Sequence, residues 1–349
     1  MPVGEVRIGT SGWSYPSGPG SWNGIFYPPR RSQPAGRLAK ADELAYYAEH
    51  FDTVEVNSSF YRLPDQAVTR RWAAQTPSRF DFCLKLFQKF THPAMYLKSA
   101  EARAGGEEGP IPAVTGADVD AFRQAVDPLA SAGKLGAILM QFPPSFRHGD
   151  DAREYLAWLM QAFSDYPVAV ELRHRTWSDH EQGVLDVLKA HRAAWVQIDE
   201  PKFRFSIRQS RLPNLRSLYY MRLHGRNAEK WWAHDHPDER YDYLYSPAEI
   251  GGFADTVNQV RQLVQKIYVF MNNHFAGKAV ANAAALRHAV GQPVPGEYEA
   301  EMLARYPSLE GIVRRSGGDS LFDGPEKTGK GTWPPGGAGT AEDAEPREG

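Results

Sequence analysis

Eight short apolar runs, separated mostly by stretches with helical spacing, leave this chain few folds to choose from. The runs are Val6–Thr10, Thr53–Asn57, Phe80–Leu86, Gly136–Phe142, Val168–Leu172, Ala194–Asp199, Leu218–His224 and Ile267–Asn273. Helical periodicity fills Arg37–His50, Gln66–Ala74, Asp118–Ser131, Asp151–Asp165, Glu181–His191 and Gly277–Val290. A further helix is announced by the capping box Ser246-Pro247-Ala248-Glu249, with Ile250, Phe253, Val257, Val260 and Val264 inward. Strands alternating with helices predict a parallel α/β sheet, and eight such units predict a closed TIM (β/α)8 barrel. No G-x-G-x-x-G follows a strand, which weighs against an open dinucleotide-binding sheet.

The chain is long enough for one such barrel. At 349 residues and 42% apolar content it can bury a sizeable core. Residues 1–316 are expected to form this single domain, with an extension from about residue 291. Gly317–Gly349 is rich in Gly, Pro, Asp and Glu and is expected to be a disordered tail. Thr91–Thr115 is expected to be a long insertion, Gly-rich at Gly105-Gly106.

A net charge of −2 gives no global basic field, so nonspecific nucleic-acid binding is not expected, and only a local patch is left open. The single cysteine, Cys83, lies inside an apolar run and reads as a small buried hydrophobe. No cysteine cluster suggests zinc or iron–sulfur, and no cofactor is expected. The N-terminus shows no charged-then-apolar leader, and no apolar run reaches the ~18 residues of a membrane span. The expected location is therefore cytoplasmic, with no membrane partner.

Strand alternation sorts the side chains into two faces. In the fifth strand, Val168, Val170 and Leu172 share one face, while Ala169, Glu171 and Arg173 share the other. If the apolar face meets the helices, the charged face points into the barrel. The same rule applied throughout places Ser11, Glu55 with Asn57, Lys85, Gln141, Glu171 with Arg173, Asp199, Arg222 with His224, and Asn272 with His274 near one rim. Taken singly, each is explained by a rim ion pair or hydrogen bond. A polar contribution from every strand points instead to a ligand site at the rim where TIM-barrel chemistry sits.

Several stretches resemble the YecE-like family, also called domain of unknown function 72. They are Ile8–Tyr15 (IGTSGWSY), Val54–Tyr61 (VEVNSSFY), Gln141–Pro144 (QFPP), Glu171–His174 (ELRH) and Arg240–Tyr245 (RYDYLY). The resemblance spans about Val6 to Leu286. It implies a TIM barrel and brings no established reaction.

The residue types allow three functions. The first is an enzyme, or a binder, for a small anionic molecule with a phosphorylated or carboxylated sugar-like or nucleotide-like body. Lys85, Arg173 and Arg222 would clamp the anion and Glu55 and Glu171 would form an acid–base pair. Trp13, Tyr15, Trp22, Trp177 and Trp231 stand on rim loops and would stack on its rings. The second is a metal-dependent isomerase or hydrolase of the xylose-isomerase-like kind, with Glu55, Glu171, Asp199 and His224 as ligands. Three neighbouring cations count against it. The third is noncatalytic binding of a nucleic-acid end or a protein partner. No Ser-His-Asp or Cys-His order supports a nucleophilic hydrolase.

Overall fold

The structure is a computed structural model that describes residues 3–29, 40–104, 113–210 and 212–317. The expected disordered tail beyond Gly317, the Gly105-Gly106 stretch of the insertion and the start of the first expected helix lie outside those residues. No helix among the described residues is long and apolar enough to cross a membrane.

The strands are β1 (Glu5–Ser11), β2 (Thr53–Val56), β3 (Asp81–Lys85), β4 (Leu135–Gln141), β5 (Val168–Glu171), β6 (Ala193–Trp195), β7 (Gln197–Asp199), β8 (Leu218–Leu223) and β9 (Lys266–Met271). They form one parallel sheet in the order β6-β5-β4-β3-β2-β1-β9-β8-β7. Its two ends, β6 and β7, are consecutive in the chain and separated only by Val196. They are two halves of a single stave, so the nine strands make the eight staves of a nearly closed TIM-like barrel.

The main helices are α1 (Lys40–His50), α2 (Ser58–Tyr61), α3 (Gln66–Gln75), α4 (Gln88–Thr91), α5 (Pro93–Ala104), α6 (Gly116–Ser131), α7 (Asp150–Ala162), α8 (Arg175–Ser178), α9 (Glu181–Ala190), α10 (Pro247–Val260), α11 (Lys278–Ala289) and α12 (Ala300–Arg305). Local chemistry sets their starts. Asp65 caps α3, and capping boxes Thr115/Asp118 and Ser246/Glu249 open α6 and α10. Among its described residues the insertion after β3 holds α5, with α4 leading into it. Beyond α11, Tyr298 and Leu309 bury the extension against the barrel, and Tyr306 donates to the Ala276 carbonyl at 2.6 Å.

One stave departs from the pattern. Among the described residues between β7 and β8 there is no helix. Side-chain amides from that connection take the place of strand pairing. Asn214 accepts from Trp195 N and donates to Ala193 O, at 2.8 and 2.9 Å. Gln209 donates to Val196 O and accepts from Ile198 N, at 2.8 and 3.3 Å. These amides satisfy backbone groups that a broken stave would leave orphaned. A cavity of about 470 Å³ lies beside this stave, lined by Gln197, Asp199, Met221, Leu223 and Phe253.

Register fixes which side chains enter the barrel. Ser11 is aligned with Glu55, and Glu55 with Cys83. Lys85 is aligned with Leu139, and Gln141 with Glu171. Laterally aligned residues of parallel strands share a face, so this set points inward together. Thr10 points the other way, bonding the Tyr47 hydroxyl of α1. The inside of the barrel is unusually polar where branched aliphatics usually fill it. At its N-terminal end, Asp81 accepts from Tyr268 at 2.8 Å and from Lys266 at 2.6 Å, and Arg7 lies 3.0 Å from Asp52. Gly136 is required there: a Cβ would lie 2.6 Å from the Tyr268 hydroxyl and 3.0 Å from Cys83 Sγ.

Candidate functional site

Arg222 of β8 crosses the barrel and joins two carboxylates from other staves. Its Nε and NH2 donate to Glu55 of β2 at 2.7–3.1 Å, and its NH1 donates to Glu171 of β5 at 2.6 Å. Ser11 and Tyr220 add hydroxyl donors to Glu55, each at 2.7 Å. Arg173 donates its Nε to Glu171 at 2.7 Å and places NH1 3.4 Å from Glu200. Glu55 and Glu171 are fully buried and Arg222 is 2% exposed, so the cluster is a desolvated alternation of charges. Such a cluster stands only because every charge has a partner. Although burial alone would raise the Glu171 carboxyl, Arg222 and Arg173 overcome that and hold it well below the usual carboxylate range.

Above this cluster opens a cavity of about 790 Å³. It takes its floor from Asn57, Lys85, Gln141, Arg173, Glu200, Arg222 and Asn272 and its walls from loops that carry aromatic residues. Lys85 ends β3 with its Nζ 3.8 Å from the centre of the Phe60 ring. Burial first, then the positive Arg222, lowers this amine to about 7. Burial drives His224 down as well, followed by Arg222 and Arg173, so its imidazole is neutral. His224 Nδ1 lies 2.8 Å from the Asn272 amide and its Nε2 3.3 Å from Arg173. Burial raises the Glu200 carboxyl, against the pull of Arg173.

His274 stacks on Tyr15 at 4.4 Å and is lowered to about 4 by burial, with Asp238 opposing. Its Nδ1 and the Oδ1 of Asn57 are buried and have no hydrogen-bond partner. Both residues line the cavity, yet these two atoms are shut off from it.

The rim residues expected from the sequence fall into three groups. Trp13, Asn57, Lys85, Gln141, Arg173, Arg222, Asn272 and His274 line the cavity. Ser11, Glu55, Glu171 and His224 lie fully buried and tie into it through the hydrogen bonds above. Asp199 is elsewhere. Its carboxylate bonds the Arg226 guanidinium at 2.8 and 2.9 Å and the Tyr245 hydroxyl at 2.8 Å. Register explains this: Ile198 aligns with the inward Arg222 and Asp199 with Leu223. The sixth stave therefore turns its apolar residues inward, contrary to the expected parity. The four donors of the metal-dependent alternative are thus not brought together, and no group of three or more His, Cys, Asp or Glu among the described residues is arranged to hold an ion.

Of the expected stacking residues, Trp13, Tyr15 and Trp231 line the cavity. Trp22 and Trp177 are buried in loop packing, with Trp22 Nε1 donating to His274 O and Trp177 Nε1 to Phe146 O. Sequence reasoning missed Glu200, which correct parity for the sixth stave would have found. It also missed Phe60, His92, Trp232, Arg240 and Tyr241, which come from connections and single helical turns too short to show periodicity.

The fold and cavity together define a TIM-like barrel whose C-terminal rim holds a buried charge network under an aromatic-walled pocket. The family model described as "Protein of unknown function DUF72" matches residues 7–303, so the chain belongs to that family. The UPF0759 protein YunF of Bacillus subtilis is 29% identical over 292 residues, covering 79% of this chain and 92% of YunF. The UPF0759 protein YecE of Escherichia coli is 38% identical over a shorter stretch, 19% of this chain and 24% of YecE. Among solved structures, a DUF72 family protein of Thermotoga maritima is 30% identical with a TM-score of 0.66, covering 82% of this chain and 99% of that one. One from Enterococcus faecalis is 25% identical with the same TM-score, over 82% and 95%.

Proposed function

We propose that the rim cavity binds a small anionic molecule with a sugar-like or nucleotide-like body. The observation that carries this is Lys85: its amine reaches the cavity floor and has no ion-pair or hydrogen-bond partner among the described residues. Beside it stands Arg173, held on Glu171 through Nε and NH2, whose NH1 side is the part left to meet a carboxylate or phosphate. Trp13, Tyr15, Tyr241, Trp231 and Trp232 give flat apolar faces for the rest of the molecule.

In this reading Glu171 and Glu55 serve as fixed anions that hold the two guanidinium groups in place. Glu171 is too strongly stabilised as a carboxylate to give up or take a proton near neutrality. An acid–base step falls more naturally to Glu200, whose carboxyl burial raises.

The test is calorimetric titration with sulfate and with sugar phosphates. Arg173→Lys keeps the charge and loses the fork, so affinity should fall about tenfold; Arg173→Ala should lose more. Sulfate keeps its charge across neutral pH, so its affinity should be full below about 7 and fall as pH rises through the Lys85 value. Unchanged affinity in both variants removes Arg173 from the site.

A further inference from the structure

We propose that Lys85 is a covalent nucleophile that captures an aldehyde or ketone carrying a carboxylate or phosphate as a protonated imine. The proposal rests on the anion-binding reading of the same cavity and adds a reaction to it.

Lys98, Lys189 and Lys202 are exposed, and comparison with the lysines that are paired or buried singles Lys85 out. Lys89 is paired with Asp118, Lys230 with Glu239, Lys266 with Asp81 and Lys278 with Asp242. The buried amine of Lys134 donates to Ala73 O, Thr76 O and Thr76 Oγ1, which is a structural anchor. Lys85 alone in this set has neither carboxylate nor carbonyl partner. It ends a strand, aligned with Leu139 of β4 on one side, and on the other its carbonyl accepts from the Ser59 hydroxyl at 2.7 Å. Its Nζ lies over the Phe60 ring, and the side chain lines a cavity large enough for a small metabolite.

A lysine becomes a nucleophile when it is desolvated beside other cations, because both effects disfavour the ammonium. Burial, Arg222 and Arg173 act on Lys85 in that direction and bring it to about 7, so both protonation states are populated near neutrality. Arg173 would hold the anionic group of the incoming molecule and leave its carbonyl carbon to the amine.

The step balances with groups on the cavity floor. The Nζ lone pair forms the C–N bond, and the carbonyl π pair moves to oxygen, which takes the proton shed by nitrogen. The carbinolamine hydroxyl then leaves as water with the proton that the Lys85 ammonium passed to the Glu200 carboxylate before attack. The products are a protonated imine, one water and the Glu200 carboxylate.

The experiment is reductive trapping. The full chain is incubated with sodium cyanoborohydride and either pyruvate or dihydroxyacetone phosphate, then read by intact mass and peptide mapping. One increment on the peptide containing Lys85 is expected, forming at least about tenfold faster at pH 7 than on any other lysine. Its rate should rise with pH and level off just above 7, well short of the ordinary lysine value. Lys85→Arg should abolish this increment; if arginine does not fit, Lys85→Gln serves for the same arm. Labelling spread evenly over surface lysines, or no increment with either probe, overturns the proposal. Sulfate titration of the same samples reports separately on whether the cavity binds anions.

Discussion

Arg222 is the residue on which the buried network depends. Its guanidinium is shared by Glu55 and Glu171, and all three side chains are almost completely buried. Removing it leaves two carboxylates desolvated, one with no cation and one with Arg173 alone. Breaking a buried pair in this way costs about 3–5 kcal/mol, because the charge left behind has no compensation. Arg222→Met should therefore lower the urea midpoint strongly. The triple variant with Glu55→Gln and Glu171→Gln should recover much of the loss, since no unpaired carboxylate remains and Arg173 keeps Glu200. Equal destabilisation in the single and triple variants would mean that shape, not charge, is what Arg222 supplies. These residues were legible in the sequence because they alternate with Val54, Val56, Val170 and Tyr219 or Met221 on regular strands. Their partners were not legible: nothing in a linear pattern says that Glu55 and Glu171 would converge on one guanidinium.

The sixth stave shows where the reasoning from elements fails. Its faces are Ala194, Val196 and Ile198 against Trp195, Gln197 and Asp199, and the expectation turned the second set inward. That rule assumes a helix outside every strand. Here the connection from Glu200 to Ser217 has no helix among its described residues, so the outer face is free to carry an amide and a carboxylate. Asp199 uses that freedom to hold Arg226 and Tyr245. The amides of Asn214 and Gln209 complete the stave, and each satisfies two backbone groups. Asn214→Ala should cost about 1–3 kcal/mol in denaturant unfolding, the cost of leaving buried backbone groups unpaired. Asp199→Asn should leave sulfate affinity within about twofold, because its carboxylate lies outside the rim cavity. A large loss of affinity in Asp199→Asn would contradict the register of this stave.

At the scale of the whole barrel, two charge networks occupy opposite ends of one interior. The number of strands and their alternation with helices made the barrel legible, and the capping boxes made several helix starts legible too. The polar filling was only half legible, since Arg7 and Asp81 stand early in their strands, where no ligand site was sought. In TIM barrels the C-terminal rim carries chemistry and the N-terminal end carries stability. Asp81 belongs to the second end: it takes a hydrogen bond from Tyr268 and ion pairs from Lys266 and Arg7, at 2.8, 2.6 and 3.6 Å. Asp81→Asn removes a buried charge that faces two cations, so it should destabilise the fold by about 3 kcal/mol, read by urea unfolding. The rim network is built from other residues and stands on its own pairs, so sulfate affinity, measured where the variant is still fully folded, should change by less than about twofold. A variant that folds but loses sulfate binding would show that the two ends are coupled through the interior, with Cys83 and Tyr220, which lie between them, as the first residues to test.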